Sequence, residues 1–128
     1  MGTQKWAFAL ALSLICGGAF AEAEFDFEEL MNDVETKIQS VQNNIAAKDA
    51  ATAATQAKEL QEQFKLVEGF FQKRGDAPDA VHNSQEYQGK AQSIQSALAA
   101  GDLDAAAVAA NDFSKQCRGA CHDKYKPL

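Results

Sequence analysis

The chain is poor in the residues that build anything other than helices. Two prolines and eight glycines are spread over 128 residues, and no stretch alternates apolar with polar side chains, so a β-fold has neither its strand pattern nor its turn punctuation. Cysteine and histidine are scarce, with three and two copies, too few for a disulfide-stapled scaffold. Positive charge is scarce too. Twelve Lys and Arg stand against 18 Asp and Glu, a formal charge of -6, which argues against nucleic acid and anionic membrane as partners and favours a basic docking face on another protein. No apolar run reaches the roughly 20 residues of a membrane-spanning helix.

The longest apolar run lies at the N-terminus and has the layout of a secretory signal. Lys5 supplies the positive start, Trp6 to Ile15 the apolar segment, and Ala19-Phe20-Ala21 an A-x-A cleavage site. Cys16 is discarded with this leader, because Ile15 stands where a lipoprotein cysteine would follow a small residue. Residues 1–21 are thus expected to be a signal peptide cleaved after Ala21, and residues 22–128 a single exported domain, periplasmic in a bacterial setting. Cleavage removes Lys5 and no acid, so the charge moves from -6 to -7.

The remaining residues divide into four helices. Asp26 opens the first, with Glu29 three residues on in capping-box fashion and Phe25 and Leu30 at the staple positions. Its apolar seam runs through Phe27, Leu30 or Met31, Val34, Ile38, Val41 and Ile45, and it fades near Lys48. The second begins near Asp49, carries Leu60, Phe64, Val67 and Phe71, and stops at Gly75. Pro78 sits in the first turn of the third, whose seam is Ala80, Ser84, Tyr87, Ala91, Ile94 and Leu98, ending at Gly101. Asp102 caps the fourth, where Leu103, Ala106, Ala110 and Phe113 lead to Cys117. Four such helices with short connections make an all-α, antiparallel up-down-up-down bundle.

The fourth helix ends in Cys117-Arg118-Gly119-Ala120-Cys121-His122. Two thiols can add to the vinyl groups of haem, and an imidazole directly after the second thiol can ligate its iron, which is the logic of C-x-x-C-H. Other readings fit less well. Zinc wants about four ligands, and here only Cys117, Cys121, His122 and the distant His82 remain, in no ribbon or finger spacing. A disulfide between neighbours on one helix is geometrically poor. A thioredoxin-like pair wants two intervening residues and a βαβ setting. The bundle brings the end of the last helix beside the start of the first, the end of the second and the start of the third. Phe27, Leu30, Met31, Val67, Phe70, Phe71, Val81 and His82 are therefore expected near His122, with Phe70 and Phe71 as walls for a flat apolar cofactor. The opposite, alanine-rich end is expected to pack closely without a cavity.

With the motif so placed, the chain resembles the class II cytochromes c, the cytochrome c-prime group, and the soluble periplasmic b-type bundle cytochrome of the same fold. The likeness covers the whole mature chain. Cys121-His122-Asp123-Lys124-Tyr125-Lys126 is similar to the family's Cys-His-x-x-Tyr-basic ending, which brings Lys126 into the site. Phe25-Asp26-Phe27-Glu28-Glu29-Leu30-Met31 is similar to the acidic helix start that carries an axial methionine in the b-type relative. The resemblance implies covalent haem c, with His122 as proximal and Met31 as distal iron ligand.

Met31 is the sole methionine of the mature chain. Its structural alternative is core filler; the rival ligand, His82, lies off its helix seam and is expected in solvent. Iron held by His and Met suits reversible one-electron transfer, so the expected function is an electron carrier exchanging with redox partner proteins, and a homodimer remains open. Iron held by His122 alone would bind nitric oxide or carbon monoxide, the alternative reading. No acid-base pair beyond His82 suggests an enzyme. The motif departs from the family in one respect, since three residues separate its cysteines. A single π-turn near Gly119 would absorb the insertion and allow two thioethers, which is the expectation; a regular helix would leave Cys121 as the sole attachment.

Overall fold

Three of the four helices start where the sequence offers the first turn a side-chain cap. In a computed structural model that describes residues 25–125, with side chains described as far as Cys117, α1 spans Phe27–Ala46 and α2 Ala50–Arg74. Helices α3 and α4 span Pro78–Ala99 and Leu103–Tyr125. The Asp26 carboxylate accepts from the Glu29 amide at 3.0 Å, Asp49 from the Thr52 amide at 3.2 Å, and Asp102 from the Ala105 amide at 2.9 Å. Each carboxylate satisfies a donor that the first turn leaves without a partner. Pro78 opens α3, where its missing N–H costs nothing. The turns reverse the chain through left-handed residues, Gly75 at φ 76° and Gly101 at φ 73°, with Lys48 at φ 61° between α1 and α2. The expected leader, residues 1–21, and Lys126 lie outside the described residues.

The helices form a four-helix bundle in which each packs on its neighbours around a square: α1 on α2, α2 on α3, α3 on α4, and α4 back on α1. The expected seams are the buried ones. Val34, Ile38, Val41 and Ile45 come from α1, Leu60, Phe64, Val67 and Phe71 from α2, and Ala80, Ser84, Tyr87, Ala91, Ile94 and Leu98 from α3. Helix α4 adds Ala106, Ala110, Phe113 and Cys117. At mid-height three rings fill the interior: Phe64 lies 5.1 Å from Tyr87 and 5.5 Å from Phe113, and Tyr87 lies 5.3 Å from Phe113, centroid to centroid. This spacing is that of favourable aromatic pairs.

Polar side chains at the seam edges hold the helices in step. Glu68 of α2 receives amide hydrogens from Gln72, Gln85 and Gln88 at 3.0, 2.8 and 2.6 Å, clasping α3. Gln63 donates to Asp33 at 2.8 Å, and Gln56 links Asn44 and Ser40, joining α1 to α2. Of the four neighbouring pairs, α1 and α4 meet least. Between them the Gln42 amide donates to the Asn111 side-chain oxygen at 2.8 Å.

Candidate functional site

Of the expected site residues, Met31 and Cys117 meet at the α1–α4 seam. Gln42 and Asn111 face one another across it. Eleven residues back along α1 from Gln42 stands Met31, and eleven residues on along α4 from Asn111 stands His122. Eleven residues make about three helical turns with a remainder of only about 20°. Because neighbouring helices here run antiparallel, the two equal steps end at one level and on the flanks that face each other. Met31 and position 122 thus oppose one another across the seam. The intervening level agrees: Met31, Val34, Glu35, Ile38 and Gln39 of α1 line one cavity together with Ser114 and Cys117 of α4.

Helix α4 is α-helical throughout Leu103–Tyr125, without a π-turn among the described residues. The expected bulge near Gly119 is therefore not formed. A glycine alone does not open a helix whose preceding turns are pinned by buried Ala106, Ala110 and Phe113. In a regular helix positions 117 and 122, five residues apart, stand about 140° apart around the axis, while 121 and 122 are about 100° apart. Position 117 belongs to the core stripe, and Cys117 is only 8% exposed. By the same arithmetic position 121 stands about 40° from position 117 and about 20° from the buried Ala110, and Cys117 lines the cavity that α4 shares with α1.

The other expected residues are at the same end of the bundle, in a different grouping. Phe70 stacks on Phe27 at 4.5 Å and meets Phe71 edge-on at 5.2 Å, and Phe27 meets Phe71 at 5.5 Å. These rings cover one another between α1 and α2, and none of them lines the Met31–Cys117 cavity. Phe71 is buried, and Leu30, Met31, Phe70 and Val81 are half-buried. His82 stands in solvent, its side chain 72% exposed and 3.7 Å from Glu86. Among the described residues no three His, Cys, Asp or Glu side chains gather around a point that could hold a metal ion; Cys121 and His122 fall beyond the described side chains.

At the alanine-rich end the interior alanines Ala53, Ala57, Ala106 and Ala110 are fully buried, and the depression found there lies at the surface. An open groove of about 420 Å³ runs between α1 and α4 there, lined by Gln42, Ile45, Ala46, Lys48, Leu103, Asp104, Ala107 and Asn111. Alanine brings backbones together only where the partner is also small and inward-facing. Ala46 and Ala107 flank the seam and are too short to close it. Gln42, Asn111 and Ser114 are the site residues that the sequence did not single out, since an amide at a seam edge looks like any solvated amide until its partner is known.

Comparison with known protein families, curated proteins and solved structures finds no match to this chain. The site has to be judged on its residues. A haem needs a tether, an imidazole and a wall, and the thiol, imidazole and thioether donors fit that set. The cavity beside Met31 and Cys117 is about 40 Å³, whereas cofactor sites enclose on the order of 300–1,000 Å³. The donor set fits haem. Space for the macrocycle requires the α1–α4 seam, the least extensive of the four interfaces, to part.

Proposed function

We propose that this chain is an exported c-type haem protein that acts as a one-electron carrier, with His122 and Met31 as the axial ligands of its iron. The observation that supports the reading is the Gln42–Asn111 bond between α1 and α4, since equal steps of eleven residues from it along the two antiparallel helices lead to Met31 and to position 122. The haem would supply a centre that alternates between ferrous and ferric iron. Everything else falls to the protein. His122 would hold the iron from α4, and the Met31 thioether would offer a soft donor from α1, which raises the reduction potential of such a centre and keeps diatomic gases off it. Val34 and Ile38 give the seam an apolar lining that excludes water, which favours little change in solvation when the charge changes. The acidic balance of the chain suits docking to a basic face on a redox partner.

One observation favours a second reading. The cavity of about 40 Å³ beside Met31, lined by Val34, Ile38 and Cys117 with Glu35, Gln39 and Ser114 at its edge, has the size that a diatomic gas would use were Met31 to stay off the iron. Optical and EPR spectra of the purified oxidised protein separate the two. A low-spin spectrum with a methionine charge-transfer band, and no uptake of carbon monoxide on reduction, is expected of the carrier. A high-spin spectrum with ready uptake refutes it in favour of gas binding, and a colourless protein refutes both.

A further inference from the structure

We propose that the outer face formed by the start of α1 and the end of α2 docks a basic amphipathic helix of a partner protein. The inference stands apart from the haem reading and does not need it. Among the described residues the bulky apolar side chains left in solvent are Phe25, Leu66 and Val108, at 46%, 54% and 61% exposure. Two of them share this face. The Phe25 ring lies 5.7 Å from that of Phe70, Leu66 stands one turn before Phe70 on α2, and Phe25 and Leu30 line one open depression on α1. Phe27 meets Phe70 at one level and Asp33 meets Gln63 at another, so Leu30 and Leu66 fall between these two contacts on adjoining helices. Single apolar side chains are ordinary on a surface, whereas a contiguous group rimmed by charge marks an interaction site.

Charge and backbone say what covers it. Asp26, Glu29 and Asp33 line the depression, and no Lys or Arg does. None of the three is in an ion pair with a described residue, while the nearby Lys37 and Lys65 are taken by Glu59 and Glu62 at 2.6 and 2.8 Å. Lys73 stands at the opposite edge, beyond Phe70. A second copy of this chain would bring like carboxylates together, and an anionic lipid surface would meet the same repulsion; lysines or arginines on a partner are attracted to all three. Gly69 lies between Leu66 and Phe70, three residues from Leu66 and on the same outward side of α2. Glycine inside a helix is less stable than alanine, and a Cβ built at Gly69 would touch nothing in the chain. The fold itself gives no reason for the missing side chain, which leaves room for another backbone to come close. Asp26 to Asp33 spans about 10 Å. That is two turns of an opposing helix, enough for apolar anchors at i, i+3 or i+4, and i+7.

The test titrates the nitrogen-15-labelled full chain with two synthetic amphipathic helices, one of leucine and lysine and one of leucine and glutamate, and follows its amide resonances. The Leu/Lys peptide should move the amides of residues 25–33 and 66–70, saturably and more weakly as salt is raised, and the Leu/Glu peptide should leave them in place. Leu66→Ser and Glu29→Lys, both at exposed positions, should each weaken the Leu/Lys peptide by about fivefold or more, whereas Val108→Ser, at the exposed apolar residue of α4, should not. Gly69→Ala separates docking from folding: it should raise Tm, because its Cβ meets nothing in the chain, and still weaken the peptide. Shifts that map to the α1–α4 groove or spread over all four helices, an equal response to both peptides, or full affinity in Leu66→Ser and Gly69→Ala would overturn the proposal. So would shifts at these residues that grow with the concentration of the chain alone, which would make the occupant a second copy.

Discussion

Replacing Met31 by leucine and by alanine separates ligation from packing, because the two substitutions remove different things. Met31 is half-buried at the α1–α4 seam beside a cavity of about 40 Å³. Full burial of a methionine is worth about 2–5 kcal/mol on truncation to alanine, so a half-buried one should cost about 1–2 kcal/mol, a fall in Tm of about 5–15 °C for a domain near 100 residues. Leucine conserves volume and should cost under about 1.5 kcal/mol. If Met31 served packing alone, Met31→Leu would leave the haem spectrum unchanged. As an iron ligand it cannot be replaced by leucine: both variants should turn from low-spin to at least partly high-spin and take up carbon monoxide, to the same degree despite their different stabilities. Leu30→Ala provides the control, since Leu30 is equally half-buried but is not among the residues lining the Met31–Cys117 cavity. It should lower Tm without altering the spectrum. A Met31→Leu protein that stays low-spin and inert to carbon monoxide would refute the ligation.

Three further outcomes follow from the fold. Phe113→Ala opens the centre of the ring cluster with Phe64 and Tyr87 and should cost about 3–5 kcal/mol in urea unfolding; a loss under about 1 kcal/mol would mean that the interior is not packed as described. Asp102→Ala removes the side-chain N-cap of α4, the helix that carries the motif, and should cost about 1 kcal/mol, with amide exchange quickening first in the opening turn of α4. Glu68 has a pKa held below its ordinary 4.5 by hydrogen bonds from Gln85 and then Gln88. A depressed carboxylate gives stability that is present above the unfolded value and lost as pH falls through the folded one, so wild type should lose stability below about pH 4.5 more steeply than Glu68→Gln. Parallel pH profiles for the two proteins would show that the clasp is not coupled to folding.

How far the chain could be read without its structure depends on the range of each signal. Capping is local: Asp26, Asp49 and Asp102 each bond an amide three residues on, so the helix starts were legible from a window of a few residues. Seams are periodic, and a stripe such as Ala80, Ser84, Tyr87, Ala91, Ile94 and Leu98 says which flank is buried before its partner is known. The place of Phe70 and Phe71 was legible as to bundle end but not as to company, because whether a ring covers a cofactor or another ring depends on which helix stands opposite.

Sequence alone therefore determined the four helices, their buried faces and the bundle they form. Tertiary structure decided the step of α1 against α4. That step rests on contacts such as Gln42 with Asn111, 69 residues apart in the chain, and no periodicity within either helix encodes it, since a seam tolerates a slip of one turn against its neighbour at small cost. It sets Met31 level with residue 122, opens the groove at the alanine end, and joins Met31 and Cys117 on one cavity. The regularity of α4 was likewise decided by packing: an inserted residue can be absorbed by a π-turn or by rotation of everything beyond it, and the buried turns around Phe113 favour rotation, with Cys117 kept in the core.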